Sequence, residues 1–154
     1  MEIERKFLVQ PIAFEALAKK KNYIKQGYLN THPERTVRVR VKNDTGYLTI
    51  KGKGNESGTT RMEWEKEIPL EDALQLLTLC EPVIIEKTRF DIEFKGFLWE
   101  VDVFHGVHQG LMIAEIELET EGQFFEKPDW ILQEVTGIEK YYNAYLSKHT
   151  VNQK

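Results

Sequence analysis

The sequence predicts one α+β domain dominated by an antiparallel meander of about eight strands. Three observations predict it. Apolar and polar residues alternate with period two along most of the chain, which is the side-chain period of a strand. Turn signals separate most of the alternating stretches. The 154 residues hold no linker, repeat or low-complexity tract, and their length suits a single core.

In chain order, the strand-like stretches are 2–9 "EIERKFLV", 23–29 "YIKQGYL", 36–42 "TVRVRVK", 46–52 "GYLTIKG" and 60–68 "TRMEWEKEI". Then come 84–94 "IIEKTRFDIEF", 97–104 "FLWEVDVF" and 111–120 "LMIAEIELET". "NDTG" at 43–46 and "KG" at 95–96 read as hairpin turns, and 53–59 "KGNESGT" as a flexible loop. Helices are expected at 11–21 and 69–80, each opening on a proline suited to a first turn. Two more are expected at 127–137 and 139–149, broken at Gly137.

Composition narrows the function. Charged residues are 30% and hydrophobic ones 41%, a globular balance. The formal net charge of -4 argues against general nucleic-acid binding, which needs a basic excess. A single cysteine, Cys80, excludes an intramolecular disulfide and a cysteine-built zinc site. No apolar run nears the ~18 residues of a membrane span. The first residues are charged and lack an apolar h-region, so a cytoplasmic protein is the expectation.

The polar faces are unusual. Val37, Val39 and Val41 oppose Arg38 and Arg40; Met62, Trp64 and Ile68 oppose Arg61, Glu63, Glu65 and Glu67. Phe90 and Ile92 oppose Lys87, Arg89 and Asp91; Trp99, Val101 and Val103 oppose Glu100 and Asp102. Ala114, Ile116 and Leu118 oppose Glu115, Glu117 and Glu119. A sheet with one solvated face gives the same alternation. Two points favour an enclosed charged face instead. Nearly every polar position is formally charged, and about eight twisted strands tend to close. A closed barrel with its charges inside makes sense if it binds a charged ligand. Lys6, Arg38, Arg40, Lys51, Lys53, Arg61, Lys87 and Arg89 call for a polyanion, and Glu2, Glu4, Glu63, Glu65, Glu100, Asp102, Glu115, Glu117 and Glu119 for a cation. A polyphosphate with a divalent metal answers both.

These residues carry a family resemblance. "EIERKF" (2–7) resembles the ExExK signature of the CYTH family, the triphosphate tunnel metalloenzymes. "VRVR" (37–40), "LTIKG" (48–52), "EWEKEIP" (63–69), "IEKTRF" (85–90), "WEVDVFHG" (99–106), "GLMIAEIELE" (110–119) and "KYYNAYL" (140–146) follow in the family's order across nearly the whole chain, 1–154. The resemblance implies an eight-stranded antiparallel β-barrel with helices outside and a C-terminal plug helix. It implies Mg²⁺ or Mn²⁺ held by Glu2, Glu4 and Glu117, with Glu115 or Glu119 beside it. It implies phosphates held by Lys6, Arg38, Arg40, Lys51, Lys87 and Arg89, with Lys140 reaching in from the last helix. Glu63 and Glu65 would place a second metal or the attacking water. The short chain and "QGYL" (26–29) point to the bacterial branch that hydrolyses inorganic tripolyphosphate. Adenylate cyclase, thiamine or nucleoside triphosphatase, and a non-catalytic polyphosphate binder are the alternatives. Barrels of this kind often pair, so a homodimer is a further expectation.

Other residues have plainer readings. His105 and His108 read as loop residues, because a lone His-x-x-His is a weak metal signal. Cys80 reads as core, and Trp64 and Trp99 as packing under helices. Tyr141, Tyr142 and Tyr145 read as packing residues, with one lining the tunnel as the other option.

Overall fold

Among the residues that the computed structural model describes, 1–149, nine strands form one antiparallel sheet that closes on itself. They are β1 (Glu2–Val9), β2 (Lys20–Asn30), β3 (Arg35–Lys42), β4 (Thr45–Gly54), β5 (Thr60–Ile68), β6 (Ile85–Phe94), β7 (Phe97–Phe104), β8 (Met112–Glu117) and β9 (Ile131–Glu134). Two helices, α1 (Leu70–Leu77) and α2 (Asn143–Leu146), accompany them. The sheet order is β5-β4-β3-β2-β6-β7-β8-β1-β9, and a β5–β1 pairing seals the barrel through Glu2↔Arg61 and Ile3↔Thr60. The β6–β7 turn is the expected Lys95-Gly96, both at positive φ (50° and 84°), which suits a tight hairpin.

Two of the three hydrophobic clusters lie outside the barrel wall. Phe7, Phe90, Trp99, Val101 and Ile116 face outward from β1, β6, β7 and β8. Phe14, Phe125 and Trp130, from the connecting segments, cover them. A second cluster sets Ala73 and Leu77 of α1 on Val39, Val41 and Leu48. A third is internal: Tyr28, Ile85, Phe104 and Ile113 fill one end, and Leu146 of α2 plugs it. Helix α1 comes close enough to β4 that a Cβ on Gly46 would stand 2.7 Å from the Ala73 Cβ and 3.0 Å from the Ile68 carbonyl. Gly46→Ala is therefore expected to lower stability by about 1–3 kcal/mol, read as a lower urea midpoint.

Three expected helices are corrected. Residues 11–21 hold only a 3₁₀ turn at Phe14–Ala16, and β2 already begins at Lys20. The β6 edge requires this, because Lys20 and Lys21 pair with Asp91 and Phe90. Residues 127–137 contain β9, not a helix. Since β5 covers β1 only at Glu2 and Ile3, the rest of that edge lacks partners. β9 supplies them through Phe7↔Glu134 and Val9↔Ile131. Residues 139–149 hold a 3₁₀ turn and the single helical turn α2. Trp99 is buried, but under Phe125 and Trp130 of the connecting segments rather than under a helix, and Trp64 is 48% exposed, the Ala73–Leu77 face of α1 packing on β5 at Ile68 instead. No helix among the described residues is long and apolar enough to cross a membrane.

Candidate functional site

The barrel registers bring the charged residues onto one inner surface. Glu4 pairs with Glu117 and Lys6 with Glu115 across β1–β8; Glu115 pairs in turn with Glu100 across β7–β8. Lys51 faces Glu63, Arg38 faces Thr49, and Arg89 faces Asp102. Paired residues share a face, so these groups all point inward.

All of them but Thr49 and Asp102 line a cavity of about 250 Å³. Its carboxylates are Glu2, Glu4, Glu63, Glu65, Glu100, Glu115 and Glu117; its cations are Lys6, Arg38, Arg40, Lys42, Lys51 and Arg89. The two signs nearly balance, so the cavity suits a cation and an anion together better than either alone. Glu4, Lys6, Arg38, Lys51 and Asn143 also line a larger compartment of about 900 Å³. That compartment adds Arg35, Lys53 and Arg61, with Tyr28, Tyr142 and Tyr145.

The signs are sorted by wall. On the acidic side, Lys6 Nζ lies 3.1 Å from Glu115 and 3.8 Å from Glu4. Lys51 Nζ lies 2.8 Å from Glu2 and 3.5 Å from Glu63. Burial opposes the Lys6 charge, but Glu115 and Glu4 lift its pKa above the usual lysine value. Burial and the nearby Glu115 push Glu4 up to about 7, and burial also raises Glu2 and Glu100. On the basic side, Arg89 grips Asp102 with both arms, Nε to Oδ1 at 2.7 Å and Nη2 to Oδ2 at 2.9 Å. Lys87 Nζ stands 2.7 Å from the same carboxylate. Arg40 Nε donates to Gln26 at 2.7 Å and has no carboxylate partner among the described residues. Burial, Arg38 and Arg89 push the Arg40 pKa down, and burial lowers Lys87 to about 7. Carboxylates thus crowd one wall and guanidinium and ammonium groups the facing one, with Arg89–Glu100 at 3.3 Å and Arg38–Glu65 at 3.5 Å as ion pairs between them.

The acidic donor set fits a hard divalent ion, being carboxylate oxygen throughout. No three carboxylate, imidazole or thiol groups among the described residues stand close enough to cage a metal alone. A cation here would complete its shell with water and ligand oxygens, as Mg²⁺ does.

The CYTH domain model matches residues 1–148. The chain belongs to the CYTH family. It is 50% identical over 149 residues to the curated inorganic triphosphatase of Acetivibrio thermocellus, covering 96% of this chain and 94% of that one. It is 35% identical over 150 residues to the inorganic triphosphatase of Nitrosomonas europaea, covering 95% and 96%. The crystal structure of the inorganic triphosphatase NE1496 superposes with a TM-score of 0.68 at 32% identity, covering 96% of this chain and 94% of that one.

This CYTH barrel gathers most of the expected site residues. Glu2, Glu4, Lys6, Arg38, Arg40, Lys51, Glu63, Arg89, Glu115 and Glu117 line the smaller cavity, and Arg61 walls the larger one. Lys53 stands at the larger mouth, exposed and 3.6 Å from Glu34. Lys87 lines neither compartment; it lies fully buried behind Arg89, on Asp102. Glu119 and Lys140 are outside the tunnel. β8 ends at Glu117, so the alternation that placed Glu119 inward has stopped, and its backbone N–H instead donates to Gln123. Lys140 is exposed on the 3₁₀ turn before α2, its ammonium over the Tyr141 ring. Four wall residues were not foreseen: Gln26, Thr49, Lys42 and Asn143. Gln26 and Lys42 carry the period-two signal. Asn143 carries none, because its place depends on how the plug docks.

Proposed function

We propose that this protein is a divalent-metal-dependent triphosphatase that cleaves inorganic tripolyphosphate to pyrophosphate and phosphate. One observation carries the reading: a charged cavity in the barrel gathers seven carboxylates and six cations, the carboxylates crowding one wall and the arginines the facing one. The names of both bacterial relatives, and coverage of nearly their whole length, support the substrate.

Arg38, Arg40 and Arg89 seat phosphate oxygens, Arg as a bidentate fork, with Lys6 and Lys51 as point charges. Lys87 acts from behind by sharing Asp102 with Arg89. Glu4 would hold the cation with Glu2, Glu115 and Glu117, and Mg²⁺ or Mn²⁺ there would screen phosphate charge and acidify water. Water adds in line to a terminal phosphorus as the bridging P–O bond breaks, and the walls supply position and charge neutralisation. Glu63 and Glu65 stand on the same wall as Glu2 and orient water at its edge. The lone cysteine supports a cytoplasmic setting.

A nucleoside triphosphate is the second substrate, because the larger compartment has room for a nucleoside beside its tyrosines. A purely binding role would need the basic wall but not Glu2, Glu4 and Glu117. The test is phosphate release from tripolyphosphate, ATP and thiamine triphosphate with Mg²⁺, Mn²⁺ or chelator. Metal-dependent release, fastest from tripolyphosphate, is expected. Cyclic AMP from ATP would move the assignment to a cyclase, and no turnover of any substrate would overturn it.

A further inference from the structure

Helix α2 is a single turn, far too short to persist unaided. Its last carbonyls must find donors outside the helix. His108 provides one. It sits in the 3₁₀ turn Gly106–His108 between β7 and β8, fully buried, with its ring edge against Phe104. Its Nε2 lies 2.7 Å from the Leu146 carbonyl and 2.6 Å from that of His149. Both partners are acceptors, so Nε2 carries the proton. Nδ1 is buried and has no hydrogen-bond partner among the described residues. An imidazole with one nitrogen orphaned is a costly way to fill an apolar corner, and a leucine would avoid that cost.

We propose that His108 is a positioning residue: it clamps the C-terminal turn of the plug and so fixes Tyr142 and Asn143 as tunnel wall. Asn143 lines both compartments, with Oδ1 3.4 Å from Lys87 Nζ. The Tyr142 ring lies 5.5 Å from Lys6 Nζ. His108 reaches substrate only through this turn. The kinetic part of the proposal rests on the triphosphatase reading; the structural part does not.

Two variants separate donor from shape. His108→Leu keeps the bulk and loses the N–H, whereas His108→Gln keeps an amide donor of similar reach. Hydrogen exchange reports the clamp directly, at the Leu146 and Ser147 amides that close the plug onto Tyr142 and Asn143. His108→Leu is expected to speed their exchange about tenfold, and His108→Gln to restore most of the protection. For tripolyphosphate hydrolysis, His108→Leu is expected to raise KM roughly two- to tenfold with a smaller change in kcat. In that background Asn143→Ala should add little, although it acts fully in the wild type. If His108→Leu does not fold, His108→Asn, whose amide stops short of both carbonyls, replaces it. Unchanged exchange overturns the clamp whatever the substrate is. Faster exchange with strictly additive kinetics overturns the positioning role. A wild type inert toward every triphosphate overturns the functional reading instead, and exchange alone then decides the clamp.

Discussion

Glu4→Gln is expected to cut metal-dependent tripolyphosphate hydrolysis by about 10²- to 10³-fold while leaving the barrel at least as stable. The substitution keeps shape and removes charge. Glu4 faces Glu117 across β1–β8, and burial with Glu115 raises its pKa to about 7. A raised carboxylate binds its proton more tightly in the folded state. Its stabilising contribution is therefore complete below the unfolded value near 4.5 and is lost as pH rises through about 7. Over that gap the loss is on the order of 3 kcal/mol for the metal-free protein, and glutamine does not incur it. At pH 8 with chelator, the variant should melt no lower than the wild type. Mg²⁺ should then raise the wild-type Tm and leave the variant's almost unchanged. Full metal-dependent activity in the variant would remove Glu4 from the cation site.

Such a site was legible in sequence where strand geometry alone decides which way a side chain points. Arg38 and Arg40 alternate with Val37, Val39 and Val41, and the closed barrel turns the arginines inward, as the charge density suggested. The same rule failed at Glu119 because it carries no information on where a strand stops. β9 was hidden for a different reason. "WILQEV" (130–135) suits a helix as well as a strand, and what decides is the open edge of β1, more than a hundred residues away. Residues 11–21 follow the same logic, since the β6 edge recruits Lys20 and Lys21. Trp64 shows the limit of alternation. Period two assigned it correctly to the outer face, but it does not say whether anything covers that face. His108 and Asn143 meet only when the last segment docks, so no local pattern marks them.

Asp102→Ala should be the most destabilising single change in the tunnel, by about 3–5 kcal/mol in urea unfolding. Asp102 is 2% exposed and is the shared counter-ion of Arg89 and Lys87. Removing it leaves the buried Arg89 without its bidentate partner, beside Arg40, which has no carboxylate partner among the described residues, and drives Lys87, already lowered to about 7, toward its neutral form. Lys87→Met should be far milder, because Arg89 still satisfies Asp102. The acid limb gives an independent check. Burial would raise the Asp102 pKa, but Arg89 and Lys87 override it and hold the group at about 2, against 3.8 when unfolded. A depressed carboxylate contributes stability that is complete above the unfolded value and lost as pH falls through the folded one. The Asp102 part of the gap between wild type and Asp102→Ala should thus be complete above pH 4 and shrink toward pH 2. Ligand makes the test specific to function. If the basic wall is a phosphate seat, tripolyphosphate with chelator present should restore part of the Asp102→Ala deficit, since the anion replaces the missing negative charge. A deficit that tripolyphosphate leaves untouched would make these cations structural only and take the anion seat off this wall.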